Sequence, residues 1–152
     1  MKLWLAAVGR VRPGPARDLY EEYAGRLSWP LTLREVEVKK RLSSDELKRQ
    51  EAELLLAAIP PGATVVALDE RGKTMGSAQF AEKIGVWRDR GVADLAFLIG
   101  GADGHGEAVR ARADLLLAFG PMTWPHMMVR GMIAEQIYRA QQILAGHPYH
   151  RV

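Results

Sequence analysis

With 152 residues, 48% of them hydrophobic and 26% charged, the chain suits one domain spanning 1–152 and is unlike a disordered segment. The absence of cysteine excludes disulfides and thiolate metal sites and fits the cytoplasm, and no apolar run approaches the roughly 20 residues that cross a bilayer. A formal net charge of +3 is a mild bias toward polyanionic partners.

Residues 2–8 (KLWLAAV) predict a buried strand closed by Gly9; the apolar run is too short for a signal peptide. After the turn RPGP, residues 16–28 predict a helix with Leu19, Tyr23 and Leu27 on one face. Residues 31–38 (LTLREVEV) alternate as a strand, but the apolar phase slips between Leu33 and Val36, which predicts a bulge or an edge position. The run Ser43-Ser44-Asp45-Glu46 supplies capping chemistry for a helix over 45–59, stopped by Pro60-Pro61-Gly62. TVVAL (64–68) is a second buried strand, followed by the polar loop DERGKTMGS and an amphipathic helix over 77–90. DLAFLIGG (94–101) is a third strand; ADGHG then leads into a helix near 106–114 and a short strand, LLLAF (115–119). The loop GPMTWP opens the last helix, 126–145, which Gly146 and Pro148 terminate. Strands alternating with helices predict an α/β fold, a mostly parallel sheet sandwiched by helices.

Ligands of open parallel sheets sit beyond the carboxyl ends of the strands. Three such ends carry unusual residues: Leu68-Asp69 before ERGK, Gly100-Gly101 before ADGHG, and Phe119-Gly120 before PMTWP. Together they suggest one pocket lined by main-chain donors and acceptors. It is not a dinucleotide site of the usual kind, because the glycines come late and Asp69 precedes them, whereas that fingerprint needs them after the first strand with the acid following. Nor does the chain contain a phosphate-binding G-x-x-x-x-G-K-[ST] loop.

The segments FLIGGADG, MTWPHMMVRGMIAEQIYRA and HPYHR, with LAAVGR and VVALDERGK before them, resemble the RlmH (YbeA-like) family of small SPOUT methyltransferases, over the whole length of the chain. The resemblance implies a C-terminal deep trefoil knot, S-adenosylmethionine held in the knot loops, and a homodimer in which two subunits complete each site. It implies methylation of N3 of a pseudouridine in large-subunit (23S) ribosomal RNA on the assembled ribosome. Carried onto this chain, the cofactor contacts are Leu68, Gly100, Phe119, Gly120, Pro121, Met122, Thr123 and Trp124. The residues agree: Leu68, Met122 and Trp124 offer an apolar slot for adenosine, and a sulfonium donor is already activated, so no metal is expected. The competing readings are a non-catalytic RNA- or ribosome-binding module on the same scaffold and a transfer-RNA methyltransferase.

Each candidate also has a plainer role. Thr123-Trp124-Pro125-His126 is a helix start in which Thr123 or its neighbour can cap. Glu135 and Arg139 have the spacing of an i,i+4 surface ion pair. The last helix, however, is apolar on more than one face (Met128, Met132 and Ile133; Val129, Ile137 and Leu144), which predicts burial and a subunit interface. There Glu135 would have a raised pKa unless Arg130 or Arg139 pairs with it, and is expected to organise or deprotonate the substrate base. His147 and His150 have a zinc-like spacing but lack further ligands; His105 and His126 read as helix-start residues. In the tail, Tyr149 can stack on a base, His150 exchange a proton and Arg151 clamp a phosphate, completing the partner subunit's site. Arg10, Arg12 and Lys39–Arg41 are candidate ribosome-docking charges, or serve solubility alone.

Overall fold

The computed structural model describes residues 1–150, His150 by its backbone alone. Five strands, β1 (Lys2–Val8), β2 (Leu31–Val36), β3 (Thr64–Lys73), β4 (Asp94–Ile99) and β5 (Leu115–Leu117), form one sheet in the order β2-β1-β4-β3-β5. Every pairing in it is parallel. Parallel neighbours need crossovers, supplied by α1 (Pro15–Ala24), α2 (Ser44–Ala57), α3 (Ser77–Asp89) and α4 (Glu107–Arg112); α5 (His126–Leu144) follows β5, and a short 3-10 turn (Pro148–His150) ends the described chain.

Both faces of the sheet are covered, which is why β1, β3 and β4 read as nearly unbroken apolar runs. The period of two along β1 sends Leu3, Leu5 and Ala7 to one core and Ala6 and Val8 to the other. The first core includes Tyr20 of α1, Phe80 and Ile84 of α3, and Ile133 and Ile137 of α5; the second includes Ala52 and Leu55 of α2 and Val109 of α4. The last helix packs one face against α1 and α3, while Met128 stays exposed.

Several elements differ from expectation for identifiable reasons. The first helix stops at Ala24 instead of reaching 28, since Gly25 is a poor helix former and Trp29 precedes a proline; Leu27 still packs on the core from the turn beyond. Strand β2 is at the sheet edge, but it has no bulge: its register runs unbroken from Leu3↔Leu31 to Val8↔Val36. The apolar phase slips because Glu35 occupies the face of Leu31 and Leu33, where Arg130 of α5 meets it. Strand β4 ends at Ile99, α4 is shorter than 106–114, and β5 stops at Leu117.

The largest departure is the polar segment after Leu68. The register of β3 against β5 breaks between Leu68 and Lys73, and Lys73 pairs with Leu117 again. The Ala118 amide donates to the Lys73 carbonyl at 3.0 Å. Residues 69–73 therefore cross the end of β5 before the chain leaves for α3. A Cβ at Gly72 would lie 2.6 Å from the Leu116 carbonyl carbon and 2.7 Å from the Leu117 nitrogen. The wrap lies where the chain continues through β5 to α5, and there the expected trefoil knot would need one segment to cross another. Since backbone cannot move aside as a side chain can, Gly72→Ala should cost at least ~2 kcal/mol of stability. Its denaturation midpoint will fall well below that of the parent; an unchanged midpoint would show that the crossing is not tight.

Candidate active site

The three strand ends close on one cavity of about 740 Å³. Leu68, Gly100, Phe119, Gly120, Met122, Thr123 and Trp124 all line it. Pro121 belongs to the same loop but is exposed and is not part of the wall. Two glycines shape the cavity. Gly120 turns the chain at φ +94°, a conformation open to residues without a Cβ. At Gly100 a Cβ would come within 3.0 Å of the Gly104 carbonyl carbon, so the turn that returns to Gly104 can close only over bare backbone.

Side chains fasten these loops to one another. The Trp124 indole donates to the Phe119 carbonyl at 3.1 Å, folding the loop on itself. Thr123 does not cap α5: its hydroxyl donates to Glu70 at 3.2 Å, joining the loop to the segment after Leu68. The position before the helix is Pro125, with no side-chain cap. The Asp69 carboxylate is buried at the cavity wall and accepts from the Arg71 amide at 2.8 Å, with the guanidinium of Arg110 3.6 Å away. Burial raises its pKa, but the Arg71 amide and guanidinium outweigh burial and hold it below the usual value.

His105 is buried on the same wall, not exposed at a helix start. Its Nε2–H donates to the Leu98 carbonyl at 3.1 Å, and burial lowers its pKa, which keeps the ring neutral at pH 7. His126 also lines the cavity; burial, with repulsion from Arg130, lowers its pKa as well. Arg130 is 1% exposed and does not approach Glu135. It donates to Glu35 at 2.6 Å and to the Gly9 carbonyl at 2.9 Å. Glu51 of α2 is buried behind the Gly-rich turn, with Oε1 lacking a hydrogen-bond partner. Its Oε2 would be 3.1 Å from a Cβ at Gly101. Burial, and then the charge of Asp103, raises its pKa.

A second cleft, of about 620 Å³, lies across the Leu117–Gly120 segment, which lines both. Glu135 is here, with Tyr23, Met132 and Gln136. Its Oε1 accepts from Arg139 at 2.9 and 2.6 Å and from the Tyr149 hydroxyl at 3.1 Å, and Oε2 accepts from Gln136 at 3.1 Å. The expected Glu135–Arg139 pair is thus present, and it organises more than a surface bridge. Tyr149 stacks edge-on against Tyr138, ring centres 4.7 Å apart, under the Arg139 guanidinium. Burial and the bond to Glu135 push its pKa up to about 12, so the phenol keeps its proton and donates. Tyr149 therefore rests on its own subunit's α5, and neither it nor Glu135 lines the first cavity. The His150 side chain and Arg151 lie outside the described residues. Among the described residues no group of three or more potential metal ligands is gathered, and no helix is long and apolar enough to cross a membrane.

Sequence reasoning missed Glu35, Glu51 and the burial of Arg130 and His105. Only Glu35 left a signal, the phase slip in LTLREVEV.

Residues 1–150 match the profile of the family described as predicted SPOUT methyltransferase. The chain is 75% identical over 151 residues to a protein of Rhodospirillum centenum named ribosomal RNA large subunit methyltransferase H, with 99% of each chain covered. Proteins of the same name from Paramagnetospirillum magneticum and Rhodospirillum rubrum are 61% and 58% identical, again with 99% of each chain covered.

The buried carboxyl behind the cavity gives a pH-dependent test. A raised pKa means that Glu51 stabilises the fold only while protonated; that contribution is lost as pH rises through its native pKa. Glu51→Gln, neutral throughout, should match the parent at pH 4. At pH 7 it should be about 1 kcal/mol more stable, roughly 2–4 °C in melting temperature. A gap that did not change with pH would rule out the titration of Glu51 as its cause.

Proposed function

The chain belongs to the SPOUT methyltransferase family, and from that membership we propose that it methylates large-subunit ribosomal RNA with S-adenosylmethionine. The target is N3 of a pseudouridine, reached on the assembled ribosome in the cytoplasm. The enzyme works as a homodimer, each chain a single domain over 1–152. One observation carries this reading: three strand ends, widely spaced in sequence, meet around a single cavity of about 740 Å³, within the range of small-molecule sites. A non-catalytic RNA-binding module has no use for such a cavity.

The residues present fit the cofactor. Leu68, Phe119, Met122 and Trp124 form apolar walls for the adenosine, and the backbone at Gly100 and Gly120 is bare enough for close contact. When bound, the sulfonium supplies a methyl group that is already activated for transfer. The protein's own task is alignment and management of one proton. Glu135 already accepts from Arg139, Gln136 and Tyr149, which makes it the organiser of this cluster. It holds Tyr149 against α5. Tyr149 then offers a face on which a base stacks, His150 exchanges the N3 proton, and Arg151 clamps a phosphate. Apolar surface at Met122, Trp124 and Met128, exposed beside the cavity, supports a second copy lying there.

Calorimetry with S-adenosylmethionine should show one site per subunit; no uptake would remove the reading. Glu135→Gln should lower kcat on ribosomal substrate by roughly tenfold or more with donor affinity nearly unchanged. Deletion of residues 149–152 should abolish RNA methylation while donor binding persists. Normal turnover by the truncated enzyme would refute the role of the tail.

A further inference from the structure

We propose that Arg12, Lys39, Lys40 and Arg41 form a docking ledge for the RNA phosphate backbone, on the β2 side of the donor cavity. The proposal rests on the RNA methyltransferase reading and names the surface that holds the substrate strand. Adjacent parallel strands β1 and β2 end side by side, with the Gly9 amide donating to the Val36 carbonyl at 2.8 Å. The segments that leave them, 9–14 and 37–43, therefore emerge together at the carboxyl edge, where the cavity also opens.

Their charges are not equivalent. Arg10 is paired with Glu37 at 3.5 Å, which removes it from the docking set. Arg12, Lys39, Lys40 and Arg41 are exposed, and no carboxylate forms an ion pair with them among the described residues. Elsewhere Arg17, Arg26 and Arg49 each meet a glutamate three or four residues away, the pattern of cations that serve helix stability and solubility. On the ledge these four cations have no such partner among the described residues, and the nearby Glu37 and Asp45 pair instead with Arg10 and Lys48. The ledge also leads to the cavity: α2 begins at Ser44, and Lys48, about one helical turn further on and loosely paired with the exposed Asp45 at 3.9 Å, lines the cavity wall.

The chemistry of the ledge selects its occupant. None of the exposed large apolar side chains belongs to either segment, so the aromatic or aliphatic anchor typical of a protein interface is missing. Two guanidinium forks and two ammonium groups are suited to phosphate oxygens, and RNA helices are recognised largely through their backbone and shape. A strand lying on the ledge runs toward Lys48 and brings a neighbouring nucleotide to the mouth of the cavity.

The test neutralises the run as K39Q/K40Q/R41Q and measures methylation of large ribosomal subunits between about 50 and 200 mM salt, with RNA binding and donor calorimetry in parallel. KM for the particle should rise at least tenfold near about 100 mM salt, with kcat and donor affinity within twofold. The log–log salt dependence of RNA binding should flatten by about 2 units, from roughly 0.7–0.9 per lost cation. Exchanging charges in kind, K39R/K40R/R41K, should restore both. An unchanged KM and slope would overturn the ledge; so would a raised KM with an unchanged slope, which would mark contact with a ribosomal protein. A parent enzyme that binds RNA with the ledge-dependent slope yet methylates none would sink the reading of the reaction and leave the ledge standing.

Discussion

The architecture depends on one close approach of backbone to backbone. Residues 69–73 can pass over the end of β5 only because position 72 carries no side chain, within 2.7 Å of where the Leu116 and Leu117 main chain would meet one. Lifting that segment away would break the Lys73–Leu117 pairing and its bond to Ala118. It would also separate Glu70 from Thr123, and with them two of the three loops that wall the cavity. The site is a consequence of the crossing, since loops that leave different strands are brought face to face by it. That is a physical role for a knotted connection, a rare exception to the usual rules of chain topology.

A second constraint seats the last helix. Arg130, almost wholly buried, donates to Glu35, Gly9 and Val8, so α5 is tied to the carboxyl ends of β1 and β2. A buried pair of this kind is poor evidence of net stability against an apolar alternative, but losing either partner leaves an uncompensated charge. What the pair does supply is registration. With Arg130 fixed, His126 and Val129 fall on the wall of the first cavity and Met132, Glu135 and Gln136 on the second. One helix thus presents its first turns to the first cavity and its middle to the cluster that holds Tyr149.

These facts explain what could be read from sequence and what could not. Strands β1, β3 and β4 announced themselves because burial on both faces demands continuous apolar runs, and the three glycine-bearing strand ends pointed correctly to one cavity. Segment 69–73 read as a loop, since nothing in DERGK records that β5, more than forty residues later, will pair with it. Long-range pairing likewise hid Arg130: its partner Glu35 is 95 residues away, and a lone arginine on an amphipathic helix is indistinguishable from a solvated one. Glu51 and His105 were illegible for the same reason, because burial of a polar group is decided by tertiary packing and not by local pattern. The knot and the cofactor came from family resemblance; no periodicity encodes either.

The separation of the two clefts bears on how many chains a working site needs. The first cavity is built from backbone turns and apolar side chains, with His105 and Asp69 already committed to Leu98 and Arg71. Glu135, which holds Tyr149 and is proposed to organise the substrate base, stands on the far side of the Leu117–Gly120 wall. Within one subunit a ligand in the first cavity would meet the wall before it met Glu135. Transfer of a methyl group requires donor and acceptor to be nearly in contact and aligned. The proposed reaction therefore needs the terminal segment of one chain to work over the cavity of another, and the apolar rim at Met122, Trp124 and Met128 is where that second chain would lie.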